Sequence, residues 1–238
     1  MPMHGGETRP SGELGIRVIR AGDPDVPWPI REPMSFDEMC YWGMPRKGLS
    51  DEVNEWRRAN RPNIARGLRK ILPARALKLA HLYGSLFLTH IRADGERVDL
   101  GLASLRVITS AGVVYLAADM AGGANDINLF KFHGIGTGTT AEAVGNTALV
   151  TESTTALNPD STRATGSQAS AASGNDATYT SVGTLTVDAT AAITEHGIFT
   201  QAATGGGTLW DRSVFTAVNL ASGDSIQTTY VATFAAGG

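Results

Sequence analysis

A glycine-rich run at residues 130–149, FKFHGIGTGTTAEAVGNTAL, is the first candidate for chemistry in the sequence. Glycine-rich loops bind phosphate when their backbone N–H groups open a helix, as in the G-x-G-x-x-G fingerprint and the G-x-x-x-x-G-K-[ST] loop. Gly134, Gly136 and Gly138 place the third glycine one residue early, and no lysine follows Lys131. The run therefore predicts a loop beside a strand that shapes the scaffold or a subunit contact, and we expect no cofactor.

The five histidines and the single cysteine do not form a metal-binding or nucleophile pattern. No H-x-H or H-E-x-x-H spacing occurs, and His81 and His90 would lie too far apart on one helix to share an ion. Cys40 stands among Met, Tyr and Trp residues, where we expect a buried and inert thiol, and there is no G-x-S-x-G elbow. These features predict a protein without enzymatic activity and without a bound metal.

Two adjacent pairs in the C-terminal half combine an acid with a base. Glu195 and His196 are neighbours in AITEHGIFTQAA. Successive side chains of a strand point to opposite faces, so the two cannot relay a proton, and we expect one of them to bond to a neighbouring strand or turn. We interpret Asp211 and Arg212 in the same way, with Arg212 meeting a carboxylate across the sheet. A glycosidase-type carboxylate pair stays open as an alternative, because the sequence does not give distances in space.

Charge is distributed unevenly along the chain. Residues 1–106 hold 17 Lys/Arg against 13 Asp/Glu, whereas residues 107–238 hold 3 against 10. The strongest cluster is at residues 46–78, and it is either a solvated helix face or a surface that docks on an acidic partner. Nucleic acid is disfavoured, since the aromatic residues here do not alternate with the basic ones as a stacking platform requires. The basic residues expected to contact a partner are Arg57, Arg58, Arg61, Arg66, Arg69 and Lys70.

Residues 1–45 contain seven prolines and little apolar periodicity, which predicts an extended arm. The arm also carries large apolar side chains, too many to leave in water. We expect them to bury as anchors against another surface, on this chain or on a neighbour. The chief anchors are Trp28, Ile30, Phe36, Tyr41 and Trp42.

The apolar period changes at about residue 93 from that of a helix to that of a strand. Helices are predicted at 50–59, 62–71 and 74–91, with Ser50 as a cap and with Pro62 and Pro73 at helix starts. Turn sequences separate the following segments and no helical crossover does, so we expect a mainly β fold. It consists of an antiparallel β-sandwich or jelly-roll-like domain at 93–238, after an arm at 1–45 and a basic helical segment at 46–92. The predicted strands are 97–109, 113–118, 129–135, 148–153, 163–172, 178–187, 193–201, 209–218 and 225–234.

Neither export nor membrane insertion is expected. The opening MPMHGGETRPSGELG lacks the basic and apolar regions of a secretory signal. The most apolar window, residues 72–91, contains Arg75, Lys78, His81 and His90, which are costly to place in lipid.

Three stretches of the C-terminal part resemble a known group of proteins: FHGIGTGTTAEAVGNTALVTE, NPDSTRATGSQ and TVDATAAITEHGIFTQAATGGGTLWDRSVFTAVNLASGDSIQTTYVATF. Over about residues 98–236 the chain resembles virion structural proteins of tailed bacteriophages, which are described as structural, head-decoration or tail-fibre-like. The resemblance implies a β-sandwich without enzymatic activity, made in the bacterial cytoplasm and located on the phage particle. It also implies the major capsid protein or another virion protein as the partner. It does not extend to residues 1–92.

Three functions are compatible with these features. The first is a decoration or cement protein that binds and stabilises the capsid lattice, with a homotrimer favoured. The second is a neck, tail or fibre-base component at the head–tail junction. The third, from another class, is a host-glycan-binding module or hydrolase. Copy number separates the first two, because a decoration protein occupies every equivalent site of the lattice.

Overall fold

The computed structural model describes residues 46–174 and 176–237, and over these residues the protein is mainly β. The strands form two antiparallel sheets, one with the order β2-β1-β9-β6-β5 and one with the order β4-β3-β7-β8, and this confirms the predicted fold class. The elements in chain order are α1 (Asp51–Ala76), β1 (His81–Ile91), β2 (Arg97–Val107), α2 (Ser110–Met120), a short 3-10 helix (Ile127–Leu129), β3 (Phe132–Gly136), β4 (Ala164–Thr165), β5 (Ser167–Ser173), β6 (Asp176–Thr186), β7 (Ala191–Phe199), β8 (Leu209–Leu220) and β9 (Ser225–Ala235).

One helix of 26 residues replaces the first two predicted helices. Ser50 caps α1 as predicted, and its side chain accepts a hydrogen bond from the N–H of Val53 at 3.3 Å. The predicted breaks at Pro62 and Pro73 are wrong, because the helix continues through both. A proline inside a helix removes one backbone hydrogen bond, and packing of the apolar face of α1 on the sheets outweighs that loss.

The third predicted helix, 74–91, is also wrong, because His81–Ile91 forms strand β1. This strand lies between β2 and β9, and its residues from Tyr83 to His90 are all buried. A strand buried on both faces loses the alternation of apolar and polar residues that identifies strands in a sequence. The sheet therefore begins at His81.

Most of the other predicted strands are present, with two exceptions. Residues 113–118 lie within α2, whose N-cap Thr109 accepts a hydrogen bond from the N–H of Gly112 at 3.0 Å. Residues 148–153 contribute only an isolated bridge between Gly136 and Glu152. The valines and tyrosine at 113–118 favour strands, but the cap at Thr109 and the packing at the end of β2 make this segment helical.

The main core lies between the two sheets, and α1 adds a second one on the outer face of the five-stranded sheet. The outer core joins Ile64 and Ile71 of α1 to the sheet, where α1 approaches so closely that a Cβ on Gly67 would collide with the Leu105 carbonyl. The inner core includes Leu86, Leu88, Ile135, Ile193, Phe215 and Ile226.

α1 also covers the edges of β2 and β8, the end strands of the two sheets on one side of the sandwich. The Asn60 side chain donates to the Ala103 carbonyl at 2.8 Å and accepts from the Thr216 N–H at 2.9 Å. The indole N–H of Trp56 donates to the Thr216 carbonyl at 3.0 Å. Backbone groups that are left open on edge strands invite pairing with other chains, so α1 closes this side of the molecule.

Candidate partner-binding surface

Four of the six predicted basic residues are exposed on α1: Arg58, Arg61, Arg69 and Lys70. They extend over about 18 Å of the helix, at a rise of about 1.5 Å per residue. No Asp or Glu occurs at residues 56–76, because the carboxylates of α1, Asp51, Glu52 and Glu55, all lie in its first five residues. Arg58, Arg61 and Arg69 lie within about 80° of one another around the helix axis at about 100° per residue, whereas Lys70 lies on the other side of the helix from Arg61. We call the three arginines the α1 cationic face.

The other two basic residues are used inside the protein. Arg57 is 3% exposed, and its Nε donates to the Leu100 carbonyl at 3.2 Å. Arg66 is half-buried, and its Nη2 lies 3.3 Å from Oε2 of Glu142. Arg57 is therefore not part of the exposed surface on which it was predicted to act, because its guanidinium serves to cover the edge of β2. The charge of Arg66 is offset by a carboxylate.

Glu142 lies in the glycine-rich run and connects it to α1 and β2. Its second oxygen is 3.2 Å from Nε of Arg106, a residue that is 1% exposed. Burial opposes the ionisation of Glu142, but Arg106 and Arg66 outweigh it and lower the pKa of the carboxyl. Burial lowers the pKa of Arg106 to about 10, so the guanidinium stays charged at neutral pH. The run is thus attached to the scaffold by an ion pair.

A second attachment of the same run is made by Glu195 on β7. Its carboxylate accepts hydrogen bonds from three backbone N–H groups that belong to Gly138, Val150 and Thr151, at 3.0, 3.1 and 2.7 Å. Arg212 on β8 completes the site, with Nη2 2.7 Å from Oε2 of Glu195, and both side chains are at most 1% exposed. The backbone N–H groups that a phosphate would need here are occupied by a carboxylate of the protein, which agrees with the predicted structural role of the run.

The predictions for the two acid–base pairs are confirmed in their geometry. Glu195 bonds to Arg212 on the neighbouring strand, whereas His196 bonds to His133 at 3.1 Å in the interior. The two adjacent side chains therefore point to different sides of the sheet. Arg212 meets a carboxylate across the sheet, as expected for that residue.

A serine–histidine contact lies inside the sandwich, and no motif in the sequence indicates it. Ser181 Oγ is 2.8 Å from Nε2 of His133, and Nδ1 of His133 lies 2.8 Å from Thr228 Oγ1 and 3.1 Å from Nε2 of His196. All four side chains are 0% exposed. Burial lowers the pKa of His133 to about 3, and burial together with the neighbouring His133 lowers the pKa of His196. The network is therefore neutral and enclosed. A catalytic serine must be open to its substrate, and Ser181 is not.

A buried carboxyl, Asp211, lies in the same interior. Its Oδ1 accepts a hydrogen bond from Ser213 at 3.1 Å, and its Oδ2 has no hydrogen-bond partner among the described residues. Burial raises the pKa of Asp211 to about 7. Nearby, the Tyr230 hydroxyl accepts from the Trp210 indole at 3.0 Å, and burial followed by the charge of Asp211 raises its pKa. A single buried carboxyl of this kind does not supply the paired carboxylates of a glycosidase.

One shallow depression of about 470 Å³ lies beside the end of β1. His90 and Asp224 meet at its wall, with Nε2 2.8 Å from Oδ2. Asp224 also accepts from the N–H groups of Ala93 and Ala221, both at 2.9 Å, so its carboxylate joins two turns. Among the described residues, no group of three or more His, Cys, Asp or Glu side chains could hold a metal ion.

A second exposed surface, which the sequence did not predict, is the outer side of α2. Val113, Val114 and Met120 are 50, 67 and 80% exposed, and only Gly112 of this helix is buried. The neighbouring Val144, whose carbonyl accepts from the N–H of Ser110, is also exposed. The predicted strand at 113–118 concealed this feature, because an alternating pattern would have buried half of these side chains.

The predicted arm anchors Trp28, Ile30, Phe36, Tyr41 and Trp42 lie outside the described residues. Within the part of the chain that is described, neither helix is long and apolar enough to cross a bilayer. Comparison with protein-family models, with curated proteins and with solved structures gave no match to this chain.

Proposed function

We propose that this protein is a non-enzymatic structural component of a bacteriophage particle, a decoration or cement protein that docks on the capsid lattice through the α1 cationic face. The observation that carries the proposal is the exposure of Arg58, Arg61 and Arg69 on a helix that has no carboxylate from residue 56 to residue 76. The resemblance of residues 98–236 to virion structural proteins supplies the class of particle.

The enclosed interior supports a structural rather than a catalytic role. Ser181, His133 and His196, the groups best suited to acid–base chemistry, are all 0% exposed and hydrogen-bonded into the scaffold. Ordered strands, ion pairs under the glycine-rich run and a helix over two sheet edges give a rigid module. Rigidity of this kind suits a protein that reinforces an assembly.

Electrostatic attraction explains how the docking would work. An exposed row of cations is attracted to an acidic surface, and complementary charges raise the association rate more than they raise the final affinity. Each contact is screened by salt over about 8 Å at physiological ionic strength. If the protein is a homo-oligomer, as expected for a decoration protein, several weak contacts add up through multivalency.

The test is the binding of the purified full chain to phage capsids that lack it. Replacing Arg58, Arg61 and Arg69 by Gln should weaken binding by about tenfold or more, since three charge contacts of roughly 0.5–1 kcal/mol each are lost. Raising the salt concentration should weaken binding of the unaltered chain in the same direction. The matched control neutralises three basic residues outside the 46–78 cluster, namely Arg92, Arg97 and Lys131.

The two charge-loss variants have the same net charge and differ in where the charge is removed. Equal binding by both variants, or binding that is indifferent to salt, would refute docking through α1. Counting the copies per particle by quantitative mass spectrometry tests the assignment separately. A copy number far below the number of lattice sites would exclude a decoration protein and favour the neck, tail or fibre-base alternative.

A further inference from the structure

The two sheets have four edges in all, and within the described residues one of them is both uncovered and longer than two residues. α1 covers β2 and β8 on one side of the sandwich. On the other side, β4 is two residues long and leads through Gly166 directly into β5, so the chain crosses there from one sheet to the other. The edge left open is the outer side of β5.

β5, with the sequence SQASAAS, pairs with β6 along its whole length, from Ser167↔Val182 to Ser173↔Asp176. Its outer side makes no backbone hydrogen bond to any other described segment. Natural edge strands are usually protected by a charge, a proline, a bulge or very short length. β5 has seven residues, an unbroken register and neither a charge nor a proline. The outer backbone groups of β5 can therefore pair with another strand.

The sequence of the arm contains a segment suited to this edge, Val26-Pro27-Trp28-Pro29-Ile30. In an extended strand, the N–H and C=O groups of alternate residues point to opposite edges, and proline has no N–H to donate. The alternating prolines therefore place all three donors of this segment on one edge and both prolines on the other. Such a segment can pair on one side only, which is the property of a terminal strand.

The side chains of the segment fit the same arrangement. Val26, Trp28 and Ile30 share one face, because they are two residues apart. β5 offers only Ser, Ala and Gln side chains, all exposed or half-buried where described, so a large side chain on the neighbouring strand meets no bulky obstacle. The apolar side chains of the segment would be partly buried against β5.

The arm is long enough to reach this edge on its own chain. The described chain begins at Arg46, whose N–H donates to the Asn54 side chain at 2.8 Å at the start of α1. The residues from Ile30 to Arg46 span up to about 50 Å when extended. The five-stranded sheet is about 19 Å wide at about 4.8 Å per strand. A tethered segment is also present at a far higher effective concentration than a second molecule in dilute solution.

We propose that Val26–Ile30 of the same chain adds to the open edge of β5 as a further strand of the five-stranded sheet, pairing through the backbone of Val26, Trp28 and Ile30. This inference is independent of the docking of α1 on a capsid. It assigns Trp28 and Ile30 to this fold and leaves Phe36, Tyr41 and Trp42 as the arm residues available to a partner.

The experiment measures hydrogen exchange of individual β5 amides in the full chain and in two proline variants. Ile30→Pro removes a pairing donor, whereas Arg31→Pro adds a proline on the side that already carries Pro27 and Pro29 and removes no pairing donor. The outward amides of β5, which alternate with those bonded to β6, should exchange at least about tenfold faster in Ile30→Pro than in the unaltered chain. Arg31→Pro should leave their exchange unchanged. The β1 and β9 amides report in each variant that the sandwich is folded.

Two results would overturn the proposal. The first is fast exchange of the outward β5 amides in the unaltered chain, equal to that in both variants, which would mean that the edge is open in solution. The second is protection that grows with protein concentration, together with a mass by light scattering above that of one chain. That outcome would assign the edge to a second copy instead of the arm of the same chain.

Discussion

Asn60 on α1 accepts a hydrogen bond of 2.9 Å from the backbone N–H of Thr216 on β8. The same side chain donates to the carbonyl of Ala103 on β2, so one amide satisfies backbone groups of both sheets. Asn60 is 0% exposed, so bulk water does not reach these hydrogen bonds. The helix is therefore joined to the sandwich by specific polar contacts in addition to its apolar face.

Replacing Asn60 by Ala should destabilise the fold by roughly 2–4 kcal/mol, because two buried backbone groups lose their partners at about 1–3 kcal/mol each. The measurement is urea unfolding followed by circular dichroism. Arg58→Ala, on the exposed face of the same helix, is the control, and we expect it to change stability by less than about 0.5 kcal/mol. Equal stabilities of the two variants would contradict the role of Asn60.

Glu195 and Arg212 form a buried ion pair that also holds the glycine-rich run. Glu195→Gln should cost about 3–5 kcal/mol, since it leaves the Arg212 charge buried without its partner. The double variant Glu195→Gln with Arg212→Met should recover part of that loss, because it removes the uncompensated charge. Urea unfolding of the two single variants and the double variant measures the coupling. Additive losses would argue against an ion pair that acts as a unit.

The buried imidazoles predict a loss of stability in acid. The pKa of His196 in the folded state is lowered by burial, so the unfolded chain binds the proton more readily. Stability is then lost as the pH falls below the ordinary value of about 6.5, with a slope of up to about 1.4 kcal/mol per pH unit for this residue. His196→Leu should remove this slope, whatever its effect at pH 7.

Unfolding free energies of the unaltered chain and of His196→Leu are to be compared between pH 7 and pH 4.5. As the pH falls, the unfolding free energy of His196→Leu should decrease less than that of the unaltered chain. His81→Leu, at the start of β1, controls for the removal of an imidazole. A difference that stays constant across this range would show that His196 is not buried as a neutral ring.

Asp211 predicts the opposite dependence on pH. Burial raises its pKa to about 7 from an ordinary value of 3.8, so the folded state holds the proton more tightly than the unfolded chain does. The stability that Asp211 contributes is fully present below pH 3.8 and is lost as the pH rises through 7. The total loss in the free energy of unfolding is about 4 kcal/mol. Asp211→Asn should therefore be more stable than the unaltered chain at pH 8, by roughly 2–4 kcal/mol.

This advantage should shrink as the pH is lowered towards 4, where Asp211 is protonated in the folded chain. Thermal or urea unfolding at pH 8 and pH 4.5 measures both ends of the range. Asp188→Asn, at an exposed turn, provides the matched control. An Asn variant that is less stable than the unaltered chain at pH 8 would mean that the carboxylate is stabilised by a partner after all.

The sequence was sufficient for the fold class and for those strands that have one exposed face. β9 is the clearest case, because Ile226, Thr228 and Tyr230 alternate with half-buried residues over most of the strand. Prediction from the sequence was wrong at β1, because both faces of this strand are covered, one by the opposite sheet and the other by α1. No local pattern distinguishes such a strand from a buried helix.

Some features of the candidate site could likewise be predicted from the sequence, and others could not. The exposure of Arg58, Arg61 and Arg69 follows from their place on an amphipathic helix, but the burial of Arg57 depends on the edge of β2 that it covers. His133 and His196 are 63 positions apart, and only the pairing of β3 with β7 brings them together. Contacts of this kind are set by strand order, which a single sequence does not encode in any local motif.

The helix that lies across β2 and β8 has a consequence for molecules crowded at high concentration. A sandwich with open edge strands on both sides could pair edge to edge with its neighbours without limit. A sandwich whose edges are covered on the α1 side can pair with one neighbour only. Where the arm does not fill the remaining side, strand pairing through it must end after one step. With respect to strand pairing, the fold thus resists growth into fibres.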